Sequence, residues 1–187
     1  MEAVETMSIE AYLALDAESD EKHELLNGVV FAMAGASPRH NAIASNLVRC
    51  LGNLLEGRCR VLGSDQRVRA DATSGYMYPD VTVTCSDLAF TDEKPASLTN
   101  PTLVIEVLSA STWMRDMSYK LAHYRRMASV QHILFVGSAE PQAVHYRRTD
   151  GGWLLTDHGG EEAVELSAVG VALPLADVYR GTDALPT

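Results

Sequence analysis

The 187-residue sequence has no apolar run near the ~20 residues that would span a bilayer, so a membrane-spanning helix is not expected. Met1 to Asp20 is acidic and has no basic stretch followed by an apolar one, the pattern of a secretory leader. A cytoplasmic location is therefore the expectation. Cysteine is scarce: there are three, Cys50, Cys59 and Cys85, an odd number with no CxxC pair. Reduced thiols are the simplest reading, and zinc is disfavoured because the ligand spacing is absent. Repeats and low-complexity stretches are missing too. Positive charge is in short supply, with a net charge of −10 that argues at first against nucleic acid.

The distribution of charge says more. Residues 1–38 hold eight acids and one lysine, and residues 150–187 hold seven acids and one arginine. Between them lie Arg39, Arg49, Arg58, Arg60, Arg67 and Arg69 against only Glu56 and Asp65. Such a basic island can meet phosphates locally or simply be scattered over solvated faces.

Hydrophobicity is ample, at 47% of residues, enough for one domain with a real core. Ser8 suits the N-cap of a short helix through Ile9, Tyr12 and Leu13. Asn27-Gly28 sits between the apolar runs His23–Leu26 and Val29–Phe31, a strong hairpin signal. Ser37-Pro38 opens a long helix with Ile43, Leu47, Leu51, Leu54 and Leu55 at helical spacing, closed by Gly57. His40 lies at the N-terminal end of that stripe.

Strands are expected at Arg60–Ala70, with a bulge at Gly63, at Met77–Cys85 and at Pro101–Leu108. A second helix follows over Arg115–Ala128, and then strands at His132–Val136, Ala143–Arg147 and Trp153–Thr156. An apolar patch at Val169–Leu175 reads as an edge strand or a cover. Helix, three strands, helix, strand implies an α/β protein with helices on the faces of a sheet.

Three residues in this frame invite chemistry. Asp80, after Pro79, is a carboxylate at the mouth of a strand, sharing a face with Thr82 and Thr84. Glu106 interrupts the apolar run Leu103–Leu108 on the face of Val104 and Leu108. A carboxylate buried there costs several kcal/mol unless a cation, a metal or several donors compensate, and Arg67 is one candidate partner. Lys120 falls on the inward stripe of its helix with Met117 and Tyr124. By itself it reads equally well as a snorkelling lysine or a partner of Asp116. Taken in order, the trio could hold Mg²⁺ on two carboxylates and place an ammonium beside a reacting phosphate.

These residues fall in an ordered series of segments. They are Ser8–Leu13, His23–Gly28, Ser37-Pro38-Arg39-His40-Asn41, Ser64-Asp65-Gln66-Arg67-Val68, Tyr78-Pro79-Asp80-Val81, Val104–Ser109 with Ser111-Thr112, and Asp116–Lys120 with Tyr124. The series, over roughly residues 8 to 147, resembles the Uma-two family of restriction endonuclease-like proteins, a bacterial branch of the PD-(D/E)xK nuclease superfamily.

The resemblance implies an α/β, restriction endonuclease-like core with a mixed central sheet flanked by helices, preceded by an N-terminal helix and hairpin. It implies one domain over 1–187, with its core at about 23–147 and a strand-rich extension over 148–187. It makes Asp80, Glu106 and Lys120 catalytic and Asp80, Glu106 and Glu24 ligands of Mg²⁺ (or Mn²⁺). His40, Asp65, Gln66, Ser109 and Tyr124 would line the cleft, and Arg39 and Arg67 would contact nucleic acid. The expected activity is hydrolysis of DNA phosphodiesters by a homodimer. The alternative is a nuclease-fold module that binds nucleic acid or a partner protein without cutting. One departure bears on this choice: the superfamily lysine falls two residues after the Glu, where this chain has Leu108, so Lys120 would have to reach the same space from the following helix.

Overall fold

The structure, a computed structural model, describes residues 6–33, 35–71, 75–109, 113 and 116–187. Ser111, Thr112 and the expected helix start at Arg115 lie outside them.

The chain opens with helix α1 (Ile9–Glu18), capped by Ser8, whose Oγ accepts from Ala11 N at 3.2 Å. Strands β1 (His23–Leu26) and β2 (Val29–Ala32) form the expected hairpin. Its turn places Asn27 and Gly28 at φ of 53° and 81°, the left-handed backbone that this pair tolerates best. Helix α2 (Pro38–Leu54) starts on Ser37, whose Oγ accepts from His40 N, and buries Ile43, Leu47, Cys50 and Leu51, while Leu54 is exposed.

Two of the expected strands divide. Arg60–Ala70 becomes β3 (Arg60–Gly63) and β4 (Val68–Asp71), which belong to different sheets. Gly63 ends β3 and is not a bulge within one strand. Met77–Cys85 likewise becomes β5 (Gly75–Met77) and β6 (Val81–Thr84), with Tyr78-Pro79-Asp80 as the crossing between sheets. Proline lacks the N–H a central ladder needs, so a break there is physically natural.

Strand β7 (Leu103–Leu108) is buried at every residue but its last. A π-helical turn (Asp116–Lys120) leads into helix α3 (Leu121–Arg126). Strands β8 (His132–Gly137), β9 (Gln142–Thr149) and β10 (Gly152–Gly159) follow, then β11 (Ala163–Leu166), β12 (Val171–Pro174) and the single-turn helix α4 (Leu175–Val178).

The main sheet has the order β10-β9-β8-β7-β6-β3 and is mixed: β7 and β8 run parallel, and the other neighbours are antiparallel. A second, antiparallel sheet has the order β2-β1-β5-β4. Strands β11 and β12 pair only with each other, so the apolar patch near the C-terminus is a cover rather than an edge strand of the main sheet.

Alternation along β7 sends its side chains into two cores. Leu103, Ile105 and Val107 join Ile43, Leu47 and Leu51 of α2 and Val164, Leu173 and Val178 of the C-terminal cover. Val104 and Leu108 join Tyr124, Met127 and Leu121 on the side of α3. Glu106 shares the parity of Val104 and Leu108, so it points toward α3.

The cysteines correct the reduced-thiol reading. Cys59 and Cys85 form a disulfide, and only Cys50 stays free and buried. Arg60 pairs with Thr84 across β3 and β6, which makes 59 and 85 the next cross-strand pair. The bond removes one ground for expecting a cytoplasmic location. Among the described residues, no helix is long and apolar enough to cross a membrane.

Candidate active site

Glu106 is 2% exposed in the middle of an apolar strand, and the structure supplies what its burial requires. Lys120 Nζ lies 3.1 Å from Glu106 Oε1, and the Tyr124 hydroxyl donates to the same oxygen at 2.5 Å. Lys120 and Tyr124 are four residues apart, so a helical turn stacks them on one face, directed at β7. The lysine itself is 2% exposed. Its second partner is Glu24 Oε1 at 2.8 Å. The partner weighed for Glu106 in the sequence, Arg67, is elsewhere.

Glu24 comes from the second sheet. Its Oε1 also accepts from Tyr78 N at 2.9 Å, which ties β1 to the Tyr78-Pro79-Asp80 crossing. At the far side of that crossing stands Asp80. Val81 pairs with Ile105 across β6 and β7, so Asp80 lies beside Glu106 at the end of the ladder. Asp80 Oδ2 accepts from Val107 N at 2.7 Å, and His40 Nε2 lies 3.4 Å from the same oxygen. His40 reaches it from the first turn of α2. The chain folds to bring together five residues from five elements: Glu24, His40, Asp80, Glu106 and Lys120.

Other residues singled out in the sequence take varied places. Asp65 and Gln66 line a cleft of about 790 Å³ together with Asp80, Asn41, Ala44 and Ser45. Asp65 is exposed and pairs with Lys22, while Gln66 Nε2 donates to the carbonyls of Arg67 and Ala96. Ser109 is half-buried just past β7, and its carbonyl accepts from Trp113 N at 3.0 Å.

Arg67, expected at a nucleic-acid surface, lies inside the molecule. It is 1% exposed, paired with Asp16 at 2.7 Å and hydrogen-bonded to Ser97 Oγ and Pro95 O. It is an internal pillar joining α1 to the loop before β7. Arg39 is also largely covered: its N–H donates to Pro186 O, and its guanidinium lies 4.0 Å from Asp183. Arg69 lies 3.7 Å from Glu93. The basic island is thus partly spent inside the molecule rather than gathered into one patch.

The donor set fits a hard divalent cation in part. Asp80 and Glu106 offer carboxylate oxygens side by side, suited to Mg²⁺, which keeps several of its own waters. Glu24 does not complete a three-acid cage: among the described residues no three His, Cys, Asp or Glu are arranged to hold a metal ion. The reason is electrostatic, because the ammonium of Lys120 stands between Glu24 and Glu106. Glu24 Oε1 is thus already engaged by the lysine.

Sequence reasoning passed over the backbone donors, Tyr78 N–H and Val107 N–H, which carry no side-chain signal. It also passed over Phe31 and Tyr119. Phe31 pairs with Glu24 across β1 and β2, Tyr119 precedes Lys120, and their ring centroids are 6.5 Å apart.

A mixed sheet with two acids at its parallel–antiparallel junction and a helix-borne lysine defines a protein with a restriction endonuclease-like fold. The crystal structure of "a putative nuclease belonging to DUF820" from Anabaena variabilis shares that fold, with a TM-score of 0.74 and 16% identity over 92% of this chain and 97% of that one. The chain belongs to the Uma2 family, described as "Putative restriction endonuclease", whose model matches residues 9–176. Two proteins of Synechocystis sp. are similar along most of their length. "Uncharacterized protein slr1290" is 33% identical over 178 residues, covering 94% of this chain and 92% of that protein. "Uncharacterized protein sll1609" is 34% identical over 154 residues, covering 81% and 87%.

Proposed function

We propose that this protein is a Mg²⁺- or Mn²⁺-dependent endonuclease that hydrolyses DNA phosphodiester bonds at Asp80, Glu106 and Lys120. One observation carries the reading. Leu108 occupies the position two residues after the acid, yet an ammonium still sits 3.1 Å from Glu106, delivered by Lys120 from the next helix. A buried lysine held against the acids by geometry, rather than by chain adjacency, supports a shared chemical role.

In this reading Asp80 and Glu106 hold the metal. When bound, the metal would polarise a phosphoryl oxygen and lower the pKa of a water. The protein's own groups do the remaining work. The Val107 N–H and His40 fix the Asp80 carboxylate, and the Tyr124 hydroxyl fixes Glu106. Lys120, already desolvated, places positive charge where negative charge would develop on the phosphate. Glu24 holds that ammonium in place. The cleft walled by Asn41, Ala44 and Ser45 has small side chains that let a backbone approach Asp80. A homodimer belongs to the same reading, because a two-fold duplex suits a two-fold enzyme.

The test is incubation of the purified protein with supercoiled plasmid in Mg²⁺ or Mn²⁺, beside Asp80→Asn and Glu106→Gln. Nicking or linearisation that falls by roughly 100-fold or more in both variants is expected. Cleavage retained by the variants would sink the assignment. A wild type that binds DNA and Mn²⁺ in calorimetry but never cuts would instead mark the protein as a nuclease-fold binding module.

A further inference from the structure

Two aromatic rings border the acid–lysine cluster, the exposed Tyr119 and the half-buried Phe31. Tyr119 is 48% exposed, although it immediately precedes one of the most deeply buried residues in the chain. Both residues lie in the π-helical turn Asp116–Lys120. Wider turns of this kind occur mostly as local insertions in helices, often at functional sites. Here the turn aims Lys120 at Glu24 and Glu106 while its neighbour, Tyr119, faces solvent. Across the gap, Phe31 is half-buried on β2 and paired in register with Glu24 on β1. In an antiparallel pair, opposite residues project to the same side. Phe31 therefore stands beside Glu24 as Tyr119 stands beside Lys120. The rings are tilted by 35° with centroids 6.5 Å apart.

Resting on the endonuclease reading, we propose that Phe31 and Tyr119 form a stacking platform for an unpaired base next to the scissile phosphate. The preferred substrate would then be single-stranded DNA, or a duplex with an unpaired nucleotide at the cut. A π-face accepts any base, so the platform selects for the unstacked state and not for sequence. A base paired within an intact duplex has both faces covered by its neighbours and cannot use the rings.

Binding is measured with oligonucleotides in Ca²⁺, which takes the same oxygen ligands. One is single-stranded and carries 2-aminopurine as a reporter of stacking. A second is the matched duplex, and a third is a duplex with one unpaired 2-aminopurine. The variants are Tyr119→Ala and Tyr119→Phe. Tyr119 is exposed, so neither change disturbs the fold, and a thermal melt checks this. Wild type should quench the reporter in the single strand and at the unpaired position. It should bind those at least about tenfold more tightly than the matched duplex. Tyr119→Ala should lose the quenching and most of that preference, and Tyr119→Phe should keep both. If wild type binds all three alike, or Tyr119→Ala keeps the preference, the platform is wrong while the endonuclease reading stands on plasmid cleavage. If no oligonucleotide binds and no plasmid is cut, both fall together.

Discussion

Lys120 is enclosed with two carboxylates and is only 2% exposed. Its ammonium offsets Glu24 and Glu106 at 2.8 and 3.1 Å. Removing one partner of a buried ionic group costs about 3–5 kcal/mol, because the rest is left uncompensated. Lys120→Met should therefore lower stability by that order, measured by urea unfolding. A divalent cation is the natural replacement for the lost charge. Millimolar Mn²⁺ should then raise the melting temperature of Lys120→Met more than that of wild type, and no difference would weigh against a cation site at these acids. Tyr124→Phe removes a single donor to Glu106 and should cost less, about 1–3 kcal/mol. Arg67 is the contrasting cation. It is held by Asp16, Ser97 and Pro95 and not by Glu24 or Glu106, so Arg67→Met should lower stability by several kcal/mol and leave the DNA affinity of the folded fraction unchanged. Nothing in a basic stretch of sequence separates an arginine that faces solvent from one that faces an aspartate fifty positions away.

At the scale of elements, what the sequence made legible follows local physics. Ser8, Asn27-Gly28 and Ser37-Pro38 each announce a cap or a turn within four residues, and the structure places α1, the β1–β2 hairpin and the start of α2 on them. Glu106 was legible for the same reason: one acid among five apolar residues is an energetic anomaly visible without coordinates. Changes of sheet were not legible. Arg60–Ala70 and Met77–Cys85 look continuous because each half carries β-branched or other apolar residues, and only the tertiary arrangement assigns the halves to different sheets. The lysine's partners were equally hidden, since Glu24 lies ninety-six positions before it. The Cys59–Cys85 bond depends on β3 pairing with β6 across 26 residues of sequence, which no spacing rule reports. That bond ties β3, the edge of the main sheet, to its neighbour. Closing a loop of that length is worth roughly 3 kcal/mol through the unfolded chain. Treatment with dithiothreitol, or the Cys59→Ser/Cys85→Ser double variant, should lower the unfolding free energy by about that much. An unchanged urea midpoint would show that the two thiols are not joined in solution.

At the scale of the whole molecule, the C-terminal cover is joined to the main sheet partly through a pair of buried histidines. His132 Nε2 accepts from Ala168 N at 3.0 Å, so this nitrogen carries no proton. Its Nδ1 therefore holds the hydrogen and donates it to His145 Nε2 at 2.8 Å. Both rings must be neutral for this chain of bonds to exist. Burial pushes His132 down to about 4, with the nearby charge of Arg147 adding to the effect. His145 is also pushed down to about 4, by burial first and then by His132, His158 and Arg147. The sign follows from linkage. Above pH 6.5 the histidines are neutral in both the folded and unfolded chains and contribute no pH dependence. As pH falls from 6.5 toward 4, the unfolded chain takes up protons that the folded one refuses, so stability is lost through that window. A tenfold difference in proton affinity between the two states corresponds to about 1.4 kcal/mol, so the pair can account for several kcal/mol between neutrality and pH 4. The measurement is urea unfolding at half-unit steps from pH 7.5 to 4.5. His145→Gln separates this effect from carboxylate titration, because its amide oxygen still accepts from His132 but does not ionise. The variant should show a clearly shallower loss between pH 6.5 and 5, where most carboxylates remain charged. A slope equal to that of wild type would mean that the acid sensitivity arises elsewhere.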